Sequence, residues 1–237
     1  MQERVLNSVA VLTGAGISAE SGVPTFRGED GLWRQYRAED LATAQAFMRD
    51  PTLVWEWYDW RRGLIANCEP NAAHGTLVDM ERRCEDFTLI TQNVDDLHHR
   101  AGSKRVVRLH GSIWQVRCTS EGIVRENHDV PLRQLPARCA CGAVLRPHVV
   151  WYGESLDRTV LEEAYAAAEG CDLMLVVGTS AVVHPAASLP TIAKSRGARL
   201  IEVNLERTPL SPYADEVVLG PAAEELPKLW ARLQEGA

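Results

Sequence analysis

The chain has 237 residues, 46% hydrophobic and 24% charged, a globular balance with room for one large domain or one domain with an inserted lobe. Its formal charge of −7 argues against a sequence-independent nucleic-acid binder, which needs a basic face, while a basic, lysine-bearing protein segment stays admissible as a partner. No run of eighteen apolar residues occurs, so no membrane-spanning helix is expected.

The first segment, MQERVLNSVAVLTG, carries charges ahead of a short apolar run and has no A-x-A-like cleavage site. It reads as a first strand and not as a signal peptide. The expected location is cytoplasmic, with the six cysteines reduced and any cluster among them pointing to metal before disulfide. SVAVLTG (8–14) runs into Gly14-Ala15-Gly16-Ile17-Ser18-Ala19, which fits G-x-G-x-x-[GA] after a strand and aims backbone N–H groups at a pyrophosphate. An ordinary dehydrogenase would continue into a long helix. Here Glu20-Ser21-Gly22-Val23-Pro24-Thr25-Phe26-Arg27-Gly28 follows, and Pro24 forbids one. The segment reads as a loop that covers a ligand, and hydride transfer is disfavoured.

Next comes Trp57-Tyr58-Asp59-Trp60-Arg61-Arg62, two arginines among three large aromatics. Tyr58 and Arg61, three apart, share one helix face. An amphipathic helix with inward rings and snorkelling arginines explains the pattern as well as an anion site does. Arg62 is expected at the surface.

Further along, FTLITQN (87–93), LMLVVGTS (173–180), ARLIEVN (198–204) and DEVVLG (215–220) are continuously apolar, as strands covered on both faces are. Helical stretches at 157–169, 186–196 and 222–234 alternate with them, the last aligning Leu226, Leu229, Trp230 and Leu233. The fold class is therefore α/β, a doubly wound parallel sheet. Ligands of such sheets sit beyond the carboxyl ends of the strands. Five of those ends carry small or hydrogen-bonding residues: Gly14 to Gly16, Gln92-Asn93 with Asp95, Gly178-Thr179-Ser180, Asn204 and Gly220. A polar ligand lying across the edge is expected. His110 follows the apolar run 106–109 and precedes Gly111, a place where a neutral imidazole suits proton abstraction. His98 and His99 are expected on a solvated helix end and His74 at a helix start. His128, His148 and His184 show nothing beyond loop chemistry.

In order, GAGISAESGVPTFRG (14–28), TQNVDDLHHRAG (91–102), LHG (109–111), VVWYGE (149–154), GTS (178–180) and VNLE (203–206) resemble the sirtuins, NAD-dependent protein-lysine deacylases. The resemblance covers essentially the whole chain. It implies a single catalytic domain: a large Rossmann-like NAD-binding part from about 1–28, 76–111 and 148–237, and a small lobe from about 29–75 and 112–147. It also implies that NAD+ is a co-substrate split at its nicotinamide–ribose bond by the acyl-lysine carbonyl oxygen. A histidine then deprotonates a ribose hydroxyl, and the products are free lysine, nicotinamide and an O-acyl-ADP-ribose. The partner implied is an acylated lysine in a protein segment, and the chain is expected to be a monomer.

Carried onto this sequence, the resemblance makes His110 the base and sets Asn93 and Asp95 beside the ribose and nicotinamide. Contacts to NAD+ fall to Gly14, Ala15, Gly16, Ser18, Ala19 and Glu20, to Thr25, Phe26, Arg27 and Trp33 of the covering segment, and to Gln92. At the far end they fall to Gly178, Thr179, Ser180, Asn204, Leu205, Glu206 and Ala222, the last at the adenine. Tyr58 and Arg61 match the Tyr-x-x-Arg pattern of sirtuins that prefer dicarboxylic acyl groups, with Ala42 widening the pocket; a guanidinium grips a carboxylate through a planar fork. Val149, Val150, Tyr152, Gly153 and Glu154 match the strand that pairs with substrate peptide. Two rivals share the NAD signal: a mono-ADP-ribosyltransferase and a non-catalytic NAD or ADP-ribose sensor.

The family's small lobe holds zinc with four cysteines in two close pairs. Here Cys118 is followed three residues later by Glu121, and Cys139 and Cys141 are one residue closer than usual. Three thiolates with Glu121 or His128 could complete a tetrahedral set. Equally, the lobe could fold without metal around Val116, Ile123, Val124, Leu132 and Leu135. Zinc is thus a doubtful cofactor for this chain.

Overall fold

A computed structural model describes residues 8–26, 32 and 37–235. The apolar runs form strands β1 (Ser8–Thr13), β2 (Asp86–Thr91), β3 (Val106–Arg108), β7 (Leu173–Val177), β8 (Arg199–Asn204) and β9 (Glu216–Leu219). They pair in the order β3-β2-β1-β7-β8-β9, all parallel. The chain winds outward from β1 in one direction and from β7 in the other. The crevice between those two strand ends is therefore a topological switch point. Register brings Thr13 level with Thr91 on one side and Val177 on the other, so the three loops beyond them meet.

Among the described residues the α-helices are α1 (Ala38–Leu41), α2 (Ala44–Arg49), α3 (Pro51–Ala66), α4 (Ala72–Arg83), α5 (Leu97–Ala101), α6 (Arg158–Gly170), α7 (Leu189–Ser195) and α8 (Ala222–Glu235). On one sheet face Ala73, Leu77 and Met80 of α4 and Leu226, Leu229 and Leu233 of α8 cover Val9, Val11, Phe87 and Leu89. On the other, Ala164 and Ala168 of α6 and Leu189 and Ala193 of α7 cover Ala10, Leu12, Ile90 and Met174. Alternate residues of one strand thus enter different cores, which is why these strands are apolar throughout. Among the described residues no helix is long and apolar enough to cross a membrane.

A second layer is a small antiparallel sheet of β4 (Gly111–Cys118), β5 (Val124–Glu126) and β6 (Leu145–Val149), in the order β5-β4-β6. It packs on α3, whose Val54, Trp55 and Ile65 share a core with Ile113, Trp114, Val116, Val149 and Trp151. Helix α3 starts cleanly: Pro51 occupies its first turn and the Asp50 carboxylate accepts from the Leu53 N–H. Leu132 joins this core and Leu135 packs against it. Ile123 and Val124 do not, being 44% and 40% exposed, because β5 is a three-residue edge strand with no layer over it.

Three further expectations are corrected. Arg62 is wholly buried, its Nη2 donating to the Asn127 backbone carbonyl and to Asn127 Oδ1 at 2.6 Å, with the guanidinium 5.2 Å from the Trp114 ring. Consecutive helix residues diverge by about 100°, and α3 is wedged so that Arg61 and Arg62 enter two different interiors. His98 is also buried, its Nε2 lying 3.0 Å from Thr13 Oγ1, since α5 packs inward onto the end of β1. His148 lies on β6 and not in a loop. His74 does sit at a helix start, forming a reciprocal capping box with Asn71 on α4.

Candidate active site

The loops after β1 and β7 touch backbone to backbone. Gly14 N–H donates to the Val177 carbonyl at 3.1 Å and Gly16 N–H to the Gly178 carbonyl at 2.8 Å. A Cβ on Gly16 would stand 2.7 Å from Gly178 Cα. Gly178 has φ +61°, and a Cβ there would stand 2.4 Å from Ile17 N. Both positions admit only glycine. The result is a floor without side chains beneath a cleft of about 1350 Å³, larger than the roughly 300–1,000 Å³ that holds a drug-sized ligand.

The cleft joins two groups of residues. Gly14, Ala15, Gly16, Ala19, Thr25, Phe26, Gln92, Asn93 and His110 line one part, continuing to Gly178, Thr179, Ser180, Asn204, Leu205 and Glu206. Ala42, Tyr58, Arg61, Val149, Val150, Tyr152, Gly153 and Glu154 line another. Ser18 and Asp95 are buried behind the wall. Glu20 accepts from the Ala223 N–H at 2.9 Å, and Ala222 lies in the core at the start of α8. Arg27 and Trp33 lie outside the described residues. Trp57, Trp151 and His184 also line the cleft, although none of them was among the expected contact residues; Trp57 stood in the aromatic–arginine stretch at 57–62. Trp151 stood inside the VVWYGE block and could have been found there.

Polar side chains are held in place from below. Gln92 Nε2 donates to Thr179 Oγ1 at 2.9 Å and Asn204 Nδ2 to the Thr179 carbonyl at 2.9 Å, tying three strand ends together. Asn93 N–H donates to Thr91 Oγ1 at 3.0 Å and Asn93 Nδ2 to Ser18 Oγ at 3.2 Å. The Ser18 hydroxyl in turn donates to Asp95 Oδ2 at 2.8 Å, while Asp95 Oδ1 accepts from the Leu97 N–H at 2.9 Å. Burial pushes the Asp95 carboxyl above its ordinary range against the pull of those two donors.

His110 Nδ1 lies 2.9 Å from the Gln92 carbonyl. A carbonyl only accepts, so Nδ1 carries the proton and Nε2 keeps its lone pair. Burial lowers the imidazole pKa, and the Gln92 bond only partly offsets that. In the neutral imidazole Nε2 is therefore the proton-accepting nitrogen.

At the other end Tyr58 and Arg61 are 3% and 5% exposed. Burial raises the phenol pKa and lowers that of the guanidinium. The Arg61 guanidinium sits among rings, 4.7 Å from the centroid of Phe26 and 4.9 Å from that of Trp57. Among the described residues no carboxylate lies within ion-pairing distance of it, in contrast to Arg146, which pairs with Glu154. The segment after β6 is pinned from within. Val150 N–H donates to His110, Tyr152 N–H to Ala42 and Glu154 N–H to Trp151, each to the carbonyl at 3.0 Å.

The Sir2 family model matches residues 14–185 of the chain. The chain belongs to the Sir2 family. It is 53% identical to the NAD-dependent protein deacylase of Aquifex aeolicus over 229 residues, 96% of each protein. A solved Sir2 homologue–NAD complex superposes with a TM-score of 0.91 at 50% identity, covering 97% of this chain and 90% of that one. A solved complex of Sir2 with p53 peptide and NAD+ superposes with a TM-score of 0.86 at 32% identity, covering 96% and 93%.

A second cluster of this Sir2 chain lies apart from the cleft. Ligand atoms of Cys118, Glu121, Cys139 and Cys141 all lie within 4.8 Å of one another. Cys118 Sγ is 3.5 Å from Cys141 Sγ, and Cys139 Sγ 3.5 Å from Glu121 Oε2. The Glu121 N–H also donates to Cys118 Sγ at 3.4 Å. Three thiolates and one carboxylate gathered this closely fit a tetrahedral zinc, with Glu121 as the fourth donor. His128 instead stacks on Trp114, its ring centroid 5.7 Å away.

Proposed function

We propose that the chain is an NAD-dependent protein-lysine deacylase whose acyl pocket favours succinyl and malonyl groups and also admits acetyl. The relatives named above support the NAD-dependent deacylase part. The acyl preference rests on Arg61, a guanidinium buried in the cleft wall with no counter-ion among the described residues. Leaving a charge buried and unpaired costs several kcal/mol, on the order of 3–5 where a partner has been removed. A ligand carboxylate removes that cost by forming charge-assisted bonds with the fork.

Each lining residue then has a task. Arg61 binds the distal carboxylate of the acyl chain and Tyr58, kept protonated by burial, donates to it. Ala42 leaves width where a larger side chain would fill the channel. Phe26 covers Arg61 and keeps water from the reacting end. Bound NAD+ supplies the nicotinamide leaving group and the ribose carbon that becomes the electrophile. Asn93, its amide N–H held by Ser18, keeps Oδ1 to accept from a ligand hydroxyl. His110 Nε2 takes a proton from such a hydroxyl.

The test is a panel of acetyl-, malonyl-, succinyl- and glutaryl-lysine forms of one peptide, assayed by mass with and without NAD+. Higher kcat/KM on the succinyl and malonyl forms is expected. A flat or acetyl-first profile removes the acyl assignment, and turnover without NAD+ removes the reaction.

A further inference from the structure

Tyr58 is not alone at the acyl end of the cleft. The indole Nε1–H of Trp151 donates to the Tyr58 hydroxyl at 2.9 Å, and both rings are buried and line the cleft. An indole can only donate, so the phenol oxygen is the acceptor in this bond. The phenol's own proton is left to be given to another group. Had the partner been a carbonyl or carboxylate, the proton would have been used there and the oxygen would offer a lone pair to the cleft. A lone pair repels an incoming carboxylate.

The ring of Trp151 is itself held tightly. The Arg146 guanidinium stands 3.6 Å from its centroid and Phe47 packs at 5.3 Å. Arg146 is anchored by both Glu154 carboxylate oxygens, at 2.5 and 2.9 Å, and by the Val149 carbonyl at 2.9 Å. The Trp151 backbone N–H also donates to Glu154 Oε2 at 2.9 Å. Glu154 thus serves the ring's position as well as the segment that flanks it.

We infer that Trp151 is a positioning residue for acyl selectivity: its indole N–H sets the Tyr58 hydroxyl as a donor toward the distal carboxylate of a dicarboxylic acyl chain, beside Arg61. This rests on the acyl preference proposed above and adds to it a residue that acts through another. Trp151 orients the phenol, and Tyr58 and Arg61 touch the anion.

The experiment compares wild type, Trp151→Phe, Tyr58→Phe and the double variant on succinyl- and acetyl-lysine forms of one peptide. Phenylalanine keeps an aromatic ring near Arg146 and Phe47 and removes the N–H. It is smaller than the indole, so the double variant and the acetyl-lysine arm separate the lost hydrogen bond from lost packing. The succinyl-to-acetyl ratio of kcat/KM is expected to fall about fivefold or more in Trp151→Phe, mainly through KM for the succinyl peptide. In the Tyr58→Phe background the same change should move the ratio no further. A wild-type ratio in Trp151→Phe, or an equal further loss in the double variant, overturns the inference. A wild type that does not prefer succinyl removes the underlying preference before any variant is compared, so the two failures are distinct. One measurement needs no substitution at Trp151. Its indole N–H NMR resonance in the wild type should shift more with succinyl-lysine peptide than with acetyl-lysine peptide, and equal shifts overturn the inference.

Discussion

His110 donates its Nδ1–H to the backbone carbonyl of Gln92 at 2.9 Å, which leaves Nε2 as the proton-accepting nitrogen of the neutral ring. The bond joins the loop after β2 to the residue just before β4. It sets the tautomer by chain geometry alone.

Burial holds this imidazole below the ordinary histidine value of 6.5, so the neutral, active form persists into mildly acid solution. Turnover should fall only as the pH drops through a value below 6.5; an acid limb centred above it contradicts the assignment. His110→Ala should lower kcat by about 10²–10⁴-fold. NAD+ should still bind, as read by calorimetry.

Arg61→Met separates recognition from scaffold. Loss of a charged bond should cost about 1.5–3 kcal/mol in kcat/KM on succinyl-lysine, with a much smaller effect on acetyl-lysine. The same substitution removes a buried charge that has no counter-ion among the described residues. The ligand-free protein should therefore gain about 1 kcal/mol or more in urea unfolding. Equal losses on both substrates with a destabilised protein would make Arg61 a structural residue.

Acid stability should report the buried histidines. Burial pushes His74 down to about 4 and His98 well below the ordinary range. In the unfolded chain both protonate near 6.5. Above that pH neither state is charged and the full stability is present. Below it the unfolded state takes up protons first, so stability is lost as the pH falls from 6.5 towards 4. For His74 alone this amounts to about 3 kcal/mol. Denaturation followed between pH 7.5 and 4.5 should show that slope, and His74→Gln should flatten it. A slope unchanged in the variant would contradict the linkage.

The cysteine cluster predicts one zinc per chain in protein purified without a histidine tag, measured by plasma mass spectrometry. Glu121→Ala should lose that metal to a dilute chelator that the wild type resists. A wild type without zinc would leave the four side chains as an unmetallated cluster.

Much of this was readable in advance because it depends on neighbours in the chain. Continuous apolar runs announce strands covered on both faces, and the Gly14 to Gly16 stretch announces a close backbone approach. Tyr58 and Arg61 share a face by helical spacing alone. What escaped depends on partners distant in sequence. Arg62 is buried because Asn127, 65 residues away, and Trp114 receive it. The link from Trp151 to Tyr58 spans 93 residues, and no local pattern encodes it. Ser18 and Asp95 fall in cleft motifs yet sit one layer deeper, since the bond from Ser18 to Asp95 and that from Asn93 to Ser18 close the wall behind Asn93. Motifs name the layer that meets a ligand poorly when two layers share one block of sequence.

The most direct measurement is mass balance on a succinyl-lysine peptide incubated with NAD+ and the purified chain. One nicotinamide and one O-succinyl-ADP-ribose should appear for each lysine freed. Nicotinamide release without succinyl transfer, or lysine freed with NAD+ left whole, would contradict the account.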